Sequence, residues 1–191
     1  MKKDFGVKPY LFPMPVLMIA TYDKDGKIDV MNMAYGGICT GKSVALNINK
    51  ARKTSANIRE KMAFTIGIAD VSHMAEADFL GIVSGNDMDD KFERSGLTAV
   101  KSDKVDAPII LEWPISLECK VAELQDTVFD GFRVLGEIVN AVVDEKVIDE
   151  DGEIDPDKLE AIAFDPFKHR YYKIGEQVGQ AFEIGNTITK K

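Results

Sequence analysis

The sequence predicts an all-β core with helical insertions, closed as an antiparallel barrel of roughly six strands, in a single domain over residues 1–191. Three observations carry this reading. Short runs rich in Val, Ile and Leu recur along the chain, turn signals such as Asp25-Gly26 separate them, and the helical stretches between them are short. With 191 residues, 45% of them hydrophobic, the chain can bury a sizeable core without disulfides.

Taken in order, Pro9, Pro13 and Pro15 keep the first segment extended. Residues 16–22 read as a buried strand, and Asp25-Gly26 turns the chain into a second strand at 28–34. A third strand follows at 44–48. Residues 54–61 have Ile58 and Met62 on one helical face, with Thr54 or Ser55 as the cap. After a strand at 64–68, residues 73–83 are helical in period and 89–94 form a short helical turn. Two long strand-like runs at 114–124 and 132–144 are joined by a turn at 126–131. The acidic stretch at 149–153 fails the spacing of a calcium loop, because Val147 and Lys158 stand where carboxylates are needed, and reads as a solvated hairpin tip.

The formal net charge is −8, from 32 acidic and 24 basic residues, which argues against nucleic acid and against anionic membranes as general partners. Met1-Lys2-Lys3-Asp4 lacks an apolar signal core, and no apolar run approaches the ~20 residues that span a bilayer. A reducing, cytoplasmic setting is expected. Cys39 and Cys119 are the only cysteines and form neither a CxxC pair nor a zinc spacing, so both are expected as buried structural thiols. Cys39 also lies close enough to a glycine stretch to approach a ligand there.

Two segments point to a ligand. From Asp29 to Thr40 an alternating strand gives way to small residues, with Gly36-Gly37 carrying a reversal, and small side chains let a ligand approach the main chain. Then Lys50, Arg52, Lys53 and Thr54 stand where a strand hands over to a helix, a place where free N–H groups and guanidinium donors suit an anion. Taken alone, this second segment also reads as a solvated charged turn. A third polar stretch, Ser84-Gly85-Asn86, follows a helix and reads by itself as a C-terminal cap. Together the first two suggest a flat, nucleotide-like cofactor with a phosphate tail. No catalytic side-chain set, no metal-ligand set, no Walker A sequence and no GxGxxG after a strand is present, so any chemistry would rest with a cofactor.

The ordered blocks Tyr10-Leu11-Phe12-Pro13-Met14-Pro15-Val16, Asn32-Met33-Ala34-Tyr35-Gly36-Gly37, Arg52-Lys53-Thr54 and Ala77-Asp78-Phe79-Leu80-Gly81-Ile82-Val83-Ser84-Gly85 carry a resemblance. They continue through Asp90-Lys91-Phe92, Gly96-Leu97-Thr98, Leu117-Glu118-Cys119-Lys120 and Tyr171-Tyr172-Lys173-Ile174-Gly175-Glu176. The chain resembles the flavin reductase-like, flavoredoxin family of FMN-binding split-barrel proteins over residues 9–185. The resemblance implies a six-stranded split barrel, a homodimer, and non-covalent FMN near the subunit interface. It implies that Asn32, Met33, Ala34, Gly37, Cys39 and Thr40 meet the isoalloxazine. Lys50, Arg52 and Thr54 would hold the phosphate, while Ser84, Gly85 and Asn86 close over the cofactor with Lys91 near by. Departures are Tyr35 in place of a common Trp, Asn47 and Asn49 in place of Ser and Arg, and Gly41-Lys42-Ser43 in place of a proline turn.

Two redox roles follow from the resemblance: an NAD(P)H-dependent flavin or ferric-type reductase, and a flavoredoxin-like carrier reduced by a partner protein. A third reading, from a different class, is a barrel that binds another ligand such as haem, with His73 and His169 as the candidate ligands.

Overall fold

The computed structural model describes residues 1–128 and 130–189. The chain opens with β1 (Met14–Pro15), β2 (Leu17–Tyr22), β3 (Ile28–Met33), β4 (Gly36–Thr40) and β5 (Ser43–Asn49). Next come α1 (Lys53–Lys61), β6 (Ala63–Ile68), α2 (Met74–Ile82) and α3 (Lys91–Ser95). The short β7 (Ala99–Lys101) and β8 (Pro108–Ile110) precede the long pair β9 (Ile115–Asp126) and β10 (Gly131–Val143). A 3-10 turn, α4 (Pro156–Leu159), β11 (Ile162–Asp165), β12 (Arg170–Lys173) and α5 (Asn186–Thr189) complete the described chain.

One antiparallel sheet in the order β3-β2-β6-β9-β10-β5-β4 dominates the fold. It curls around a single core. Leu17 and Ile19 of β2, Met31 and Met33 of β3, Leu46 and Ile48 of β5, Phe64 of β6 and Phe132 of β10 share one buried cluster, although β3 and β5 are far apart in the sheet. A flat sheet could not bring those side chains together. The intervening residues Val16, Met18 and Ala20 face a second cluster with Val30, Leu80 of α2, Phe92 of α3 and Ile162 of β11. β2 is therefore apolar on both faces, with the barrel interior on one side and an outer layer of helices on the other.

The turn ahead of β3 is built by Asp23. Its carboxylate accepts from the N–H groups of Asp25 (3.0 Å) and Lys27 (2.9 Å), and Gly26 takes φ +81° at the tip. The acidic stretch near 150 is a small hairpin as expected, with Ile148 bridged to Ile154 and Asp149 accepting from Asp151 and Glu153 N–H groups. No helix among the described residues is long and apolar enough to cross a membrane.

Four expectations need correction. Gly36–Thr40 is a strand, not a reversal, so the main sheet has seven strands where six were expected. Two glycines do not break a strand whose neighbour β5 supplies the hydrogen bonds. Cys39 on this edge strand is exposed, whereas Cys119 is buried and its thiol is pushed up to about 12 by burial and by the Glu118 carboxylate. The cap of α1 is Arg52, without a side-chain bond, because Thr54 and Ser55 turn inward to other acceptors. Gly85 and Asn86 do not cap α2 with positive φ, since the helix ends at an extended Val83.

The barrel closes tightly at Gly136, where a Cβ would stand 2.5 Å from the Phe64 ring and 3.2 Å from Val44. Gly136→Ala is expected to destabilise the fold by about 1–3 kcal/mol through this overpacking, read as a lower urea midpoint at unchanged slope.

Candidate functional site

The site grows from a charge inside a strand. Asp29 lies on β3 between Ile28 and Val30 and is only 3% exposed. Its Oδ2 accepts the Thr54 hydroxyl of α1 at 2.6 Å, and its Oδ1 lies 3.9 Å from the ammonium of Lys91, itself 4% exposed. A Cβ at Gly85 would stand 2.3 Å from that same Oδ1 and 3.1 Å from the Lys53 side chain, so only glycine lets the 84–90 loop pass here. Burial pulls the Lys91 ammonium below its usual range; Asp29 opposes this, while Arg52 and Lys53 add to it. The Asn57 amide donates to Thr21 at 3.0 Å and Thr21 to the Asp29 carbonyl at 3.4 Å, continuing the polar knot into β2. The space at its centre is only about 10 Å³, too little for a phosphate group.

Beside this knot opens a cleft of about 500 Å³ between the end of β3, the end of β5, the start of α1 and one face of α2. Met33, Ile82 and Phe164 give it apolar walls, and Arg52 stands at its rim. The Arg52 guanidinium is exposed and makes no hydrogen bond or ion pair among the described residues, and the N–H groups of Lys53 and Thr54 at the start of α1 are likewise without acceptors there. A more open cleft of about 600 Å³ lies at the other end of α1, rimmed by Lys61, Lys101, Lys104 and Lys120. None of the residues selected from sequence lines it, and Lys61 there is paired with Asp106 at 3.3 Å.

The cleft also holds a polar chain. Asn32 Nδ2 donates to the Ala77 carbonyl at 3.1 Å and to the Tyr171 hydroxyl at 3.3 Å, and Tyr171 donates to Asp78 Oδ1 at 2.8 Å. Burial first, then the Asp78 carboxylate, push the Tyr171 phenol up to about 12, so it stays protonated through the neutral range. Asn47 and Asn49 shape the rim: Asn47 donates to the Tyr35 carbonyl at 3.3 Å, and Asn49 accepts the Ala51 N–H at 2.8 Å.

Of the residues selected from sequence, Asn32, Met33, Ala34 and Arg52 line the cleft. Thr54, Ser84, Gly85 and Lys91 gather with Arg52 around the filled polar space beside it. Asn86 lies outside both and ties the loop down by donating to the Ala51 carbonyl at 2.8 Å. Lys50 is turned towards Asp126, 3.8 Å away. Gly37, Cys39 and Thr40 run along the exposed β4, outside this chain's cleft. Neither histidine lines the cleft; His73 pairs with Asp70 at 3.1 Å and His169 stacks on Phe164. Sequence reasoning missed Asp29, Asp78 and Tyr171. The first two carried a signal, an acid set within an apolar run, but nothing in the order of residues joins Tyr171 to Asn32.

A curled antiparallel sheet with an apolar cleft and an anion-ready helix start at its wall defines a ligand-binding split-barrel protein. The family model described as Flavin reductase like domain matches residues 10–160, and the chain belongs to that family. The flavoredoxin of Desulfovibrio vulgaris (Miyazaki F) is similar at 36% identity and TM-score 0.90, over 97% of this chain and 100% of that one. A flavoredoxin of Methanosarcina acetivorans, at 22% identity and TM-score 0.87, covers 98% and 100% of the two chains and shares the fold. Nitrilotriacetate monooxygenase component B of Bacillus cereus does so at 22% identity and TM-score 0.80, over 94% and 100%.

Thr54→Val leaves the buried Asp29 carboxylate without its closest donor. The expected loss is about 1–3 kcal/mol of unfolding free energy in urea titration, with the native circular dichroism kept.

Proposed function

We propose that the protein binds FMN non-covalently in the cleft beside Arg52 and works as an electron-transferring oxidoreductase, an NAD(P)H-dependent flavin or ferric-type reductase. The observation that carries this reading is the pairing of an apolar cleft with a cationic helix start. Met33, Ile82 and Phe164 offer walls for a flat ring, and the Arg52 guanidinium with the N–H groups of Lys53 and Thr54, none of them with a partner among the described residues, offers donors for a phosphate. The cleft volume of about 500 Å³ suits a ligand of that class. When bound, FMN supplies the hydride and single-electron chemistry. The chain's own residues bind and orient: the apolar walls exclude water, and Arg52 fixes the anionic end. Because Asp29 already engages Thr54 and Lys91, these two hold the cleft wall in place, and the phosphate falls to Arg52 and the helix start.

A flavoredoxin-like carrier, reduced by a partner protein, is the second reading, favoured by the likeness to the D. vulgaris flavoredoxin. In either case the proposal includes a homodimer. Tyr35, 56% exposed and lining the cleft, and Ile38, 66% exposed on β4, would be covered by a second copy, which would also bring Gly37, Cys39 and Thr40 into an interface. A reducing, cytoplasmic setting is part of the reading and agrees with two unpaired thiols.

Protein reconstituted with FMN and desalted is expected to stay yellow, and a colourless product overturns the flavin reading. Arg52→Ala should weaken FMN by roughly tenfold while leaving riboflavin, which lacks the phosphate, nearly unchanged in fluorescence titration. Anaerobic stopped-flow then separates the two roles: rapid bleaching by NADH or NADPH supports the reductase, and bleaching only by a reduced partner protein supports the carrier.

A further inference from the structure

The side-chain amide of Asn32 has its orientation dictated by its neighbours. One of its hydrogens points at the Ala77 carbonyl, which can only accept, so the nitrogen and not the oxygen must face α2. The other hydrogen goes to the Tyr171 hydroxyl, and that hydroxyl spends its own proton on the Asp78 carboxylate, again an acceptor only. Donation therefore runs one way, from Asn32 to Tyr171 to Asp78, across β3, β12 and α2. Gly81 allows the close approach this needs, since a Cβ there would stand 3.1 Å from the Asn32 Cβ. Both Asn32 hydrogens are consumed, and its Oδ1 receives no hydrogen bond among the described residues. Nor is that oxygen sealed in: among those residues the one buried side-chain polar atom without a partner is Trp113 Nε1. Asn32 thus presents a carbonyl acceptor, and only an acceptor, at the cleft it lines.

We propose that Asn32 Oδ1 is a specificity-determining acceptor for the imide N3–H of the flavin ring, and that Tyr171 and Asp78 are the positioning residues that hold it so. The inference rests on the flavin reading given above and deepens it. An oxidised isoalloxazine carries a single N–H, the imide proton at N3, flanked by two carbonyls; the remaining hydrogen-bonding atoms of the ring, N1, N5, O2 and O4, only accept. A fixed acceptor can pair only with that proton. A phenol that stays protonated keeps the chain's direction constant through the neutral range, where an amide free to rotate would offer N–H or C=O alike.

The test compares FMN with 3-methyl-FMN, which lacks the N3 proton, in fluorescence titrations of wild type, N32A, Y171F and D78N. Wild type is expected to bind FMN at least about tenfold tighter than the methylated compound, the worth of one well-placed hydrogen bond. N32A should bring the two affinities to within about twofold, Y171F should narrow the gap part way, and D78N, which keeps an acceptor for the phenol, should preserve it. A second readout needs no turnover: the N3 proton resonance of 15N-labelled FMN is expected downfield in wild type and D78N and shifted upfield in Y171F. Tight binding of both compounds by wild type, or a gap unchanged in N32A and Y171F, overturns the assignment while leaving the flavin reading intact. Failure to bind either compound overturns the flavin reading itself, and this inference with it.

Discussion

The buried carboxylate of Asp29 is the constraint around which the site is arranged. Taking a carboxylate out of water costs several kcal/mol, and the cost is offset only when other groups come to it. Here two do, Thr54 from α1 and Lys91 from α3, while the glycine-bearing loop passes close by at Gly85 and Thr21 of β2 bonds the Asp29 main chain. These elements are the wall and one end of the cleft. A single strand residue thereby anchors the first turn of α1, whose N-cap is Arg52.

The cleft walls divide the labour. The sheet gives the rigid floor through β3 and β5, whose inward side chains are locked in the barrel core. α2 closes the side, held to β3 by the Asn32–Ala77 bond and by the absence of a side chain at Gly81. β12 contributes Tyr171 from near the end of the described chain. A ligand site assembled from such distant segments is stiff because each segment belongs to the barrel or is bonded to it.

Most strands were legible in the sequence because their apolar runs were bounded by turn residues, as at 16–22 and 28–34. α1 and α2 were legible from periodicity. The edge strand β4 was not, because Gly36-Gly37 carries turn chemistry and its strand state depends on pairing with β5, a tertiary effect. In the site, Asn32, Met33, Ala34 and Arg52 could be selected from small residues at a strand end and cations at a helix start. Lys91 and Thr54 were selected by the same logic, but their bonds to Asp29 direct them inward. The chain from Asn32 through Tyr171 to Asp78 joins residues 139 and 93 positions apart, and no local pattern encodes such a contact. The thiol of Cys39 is exposed because β4 is an edge strand, paired on one side only among the described residues.

The double-sided burial of β2 has a consequence for how the barrel finds its alignment. In a half-exposed strand, slipping by one residue would throw the apolar set into water, and that penalty selects the pairing. β2 has no such safeguard, since Leu17 and Ile19 on one face are matched by Val16, Met18 and Ala20 on the other. Its partnering with β3 is decided instead at the loop, where Asp23 clamps the Asp25 and Lys27 amides and meets Lys53 of α1 at 3.4 Å. The information that sets which residue faces which across β2 and β3 is therefore stored in a five-residue loop outside the core, 23–27, four of whose residues are charged.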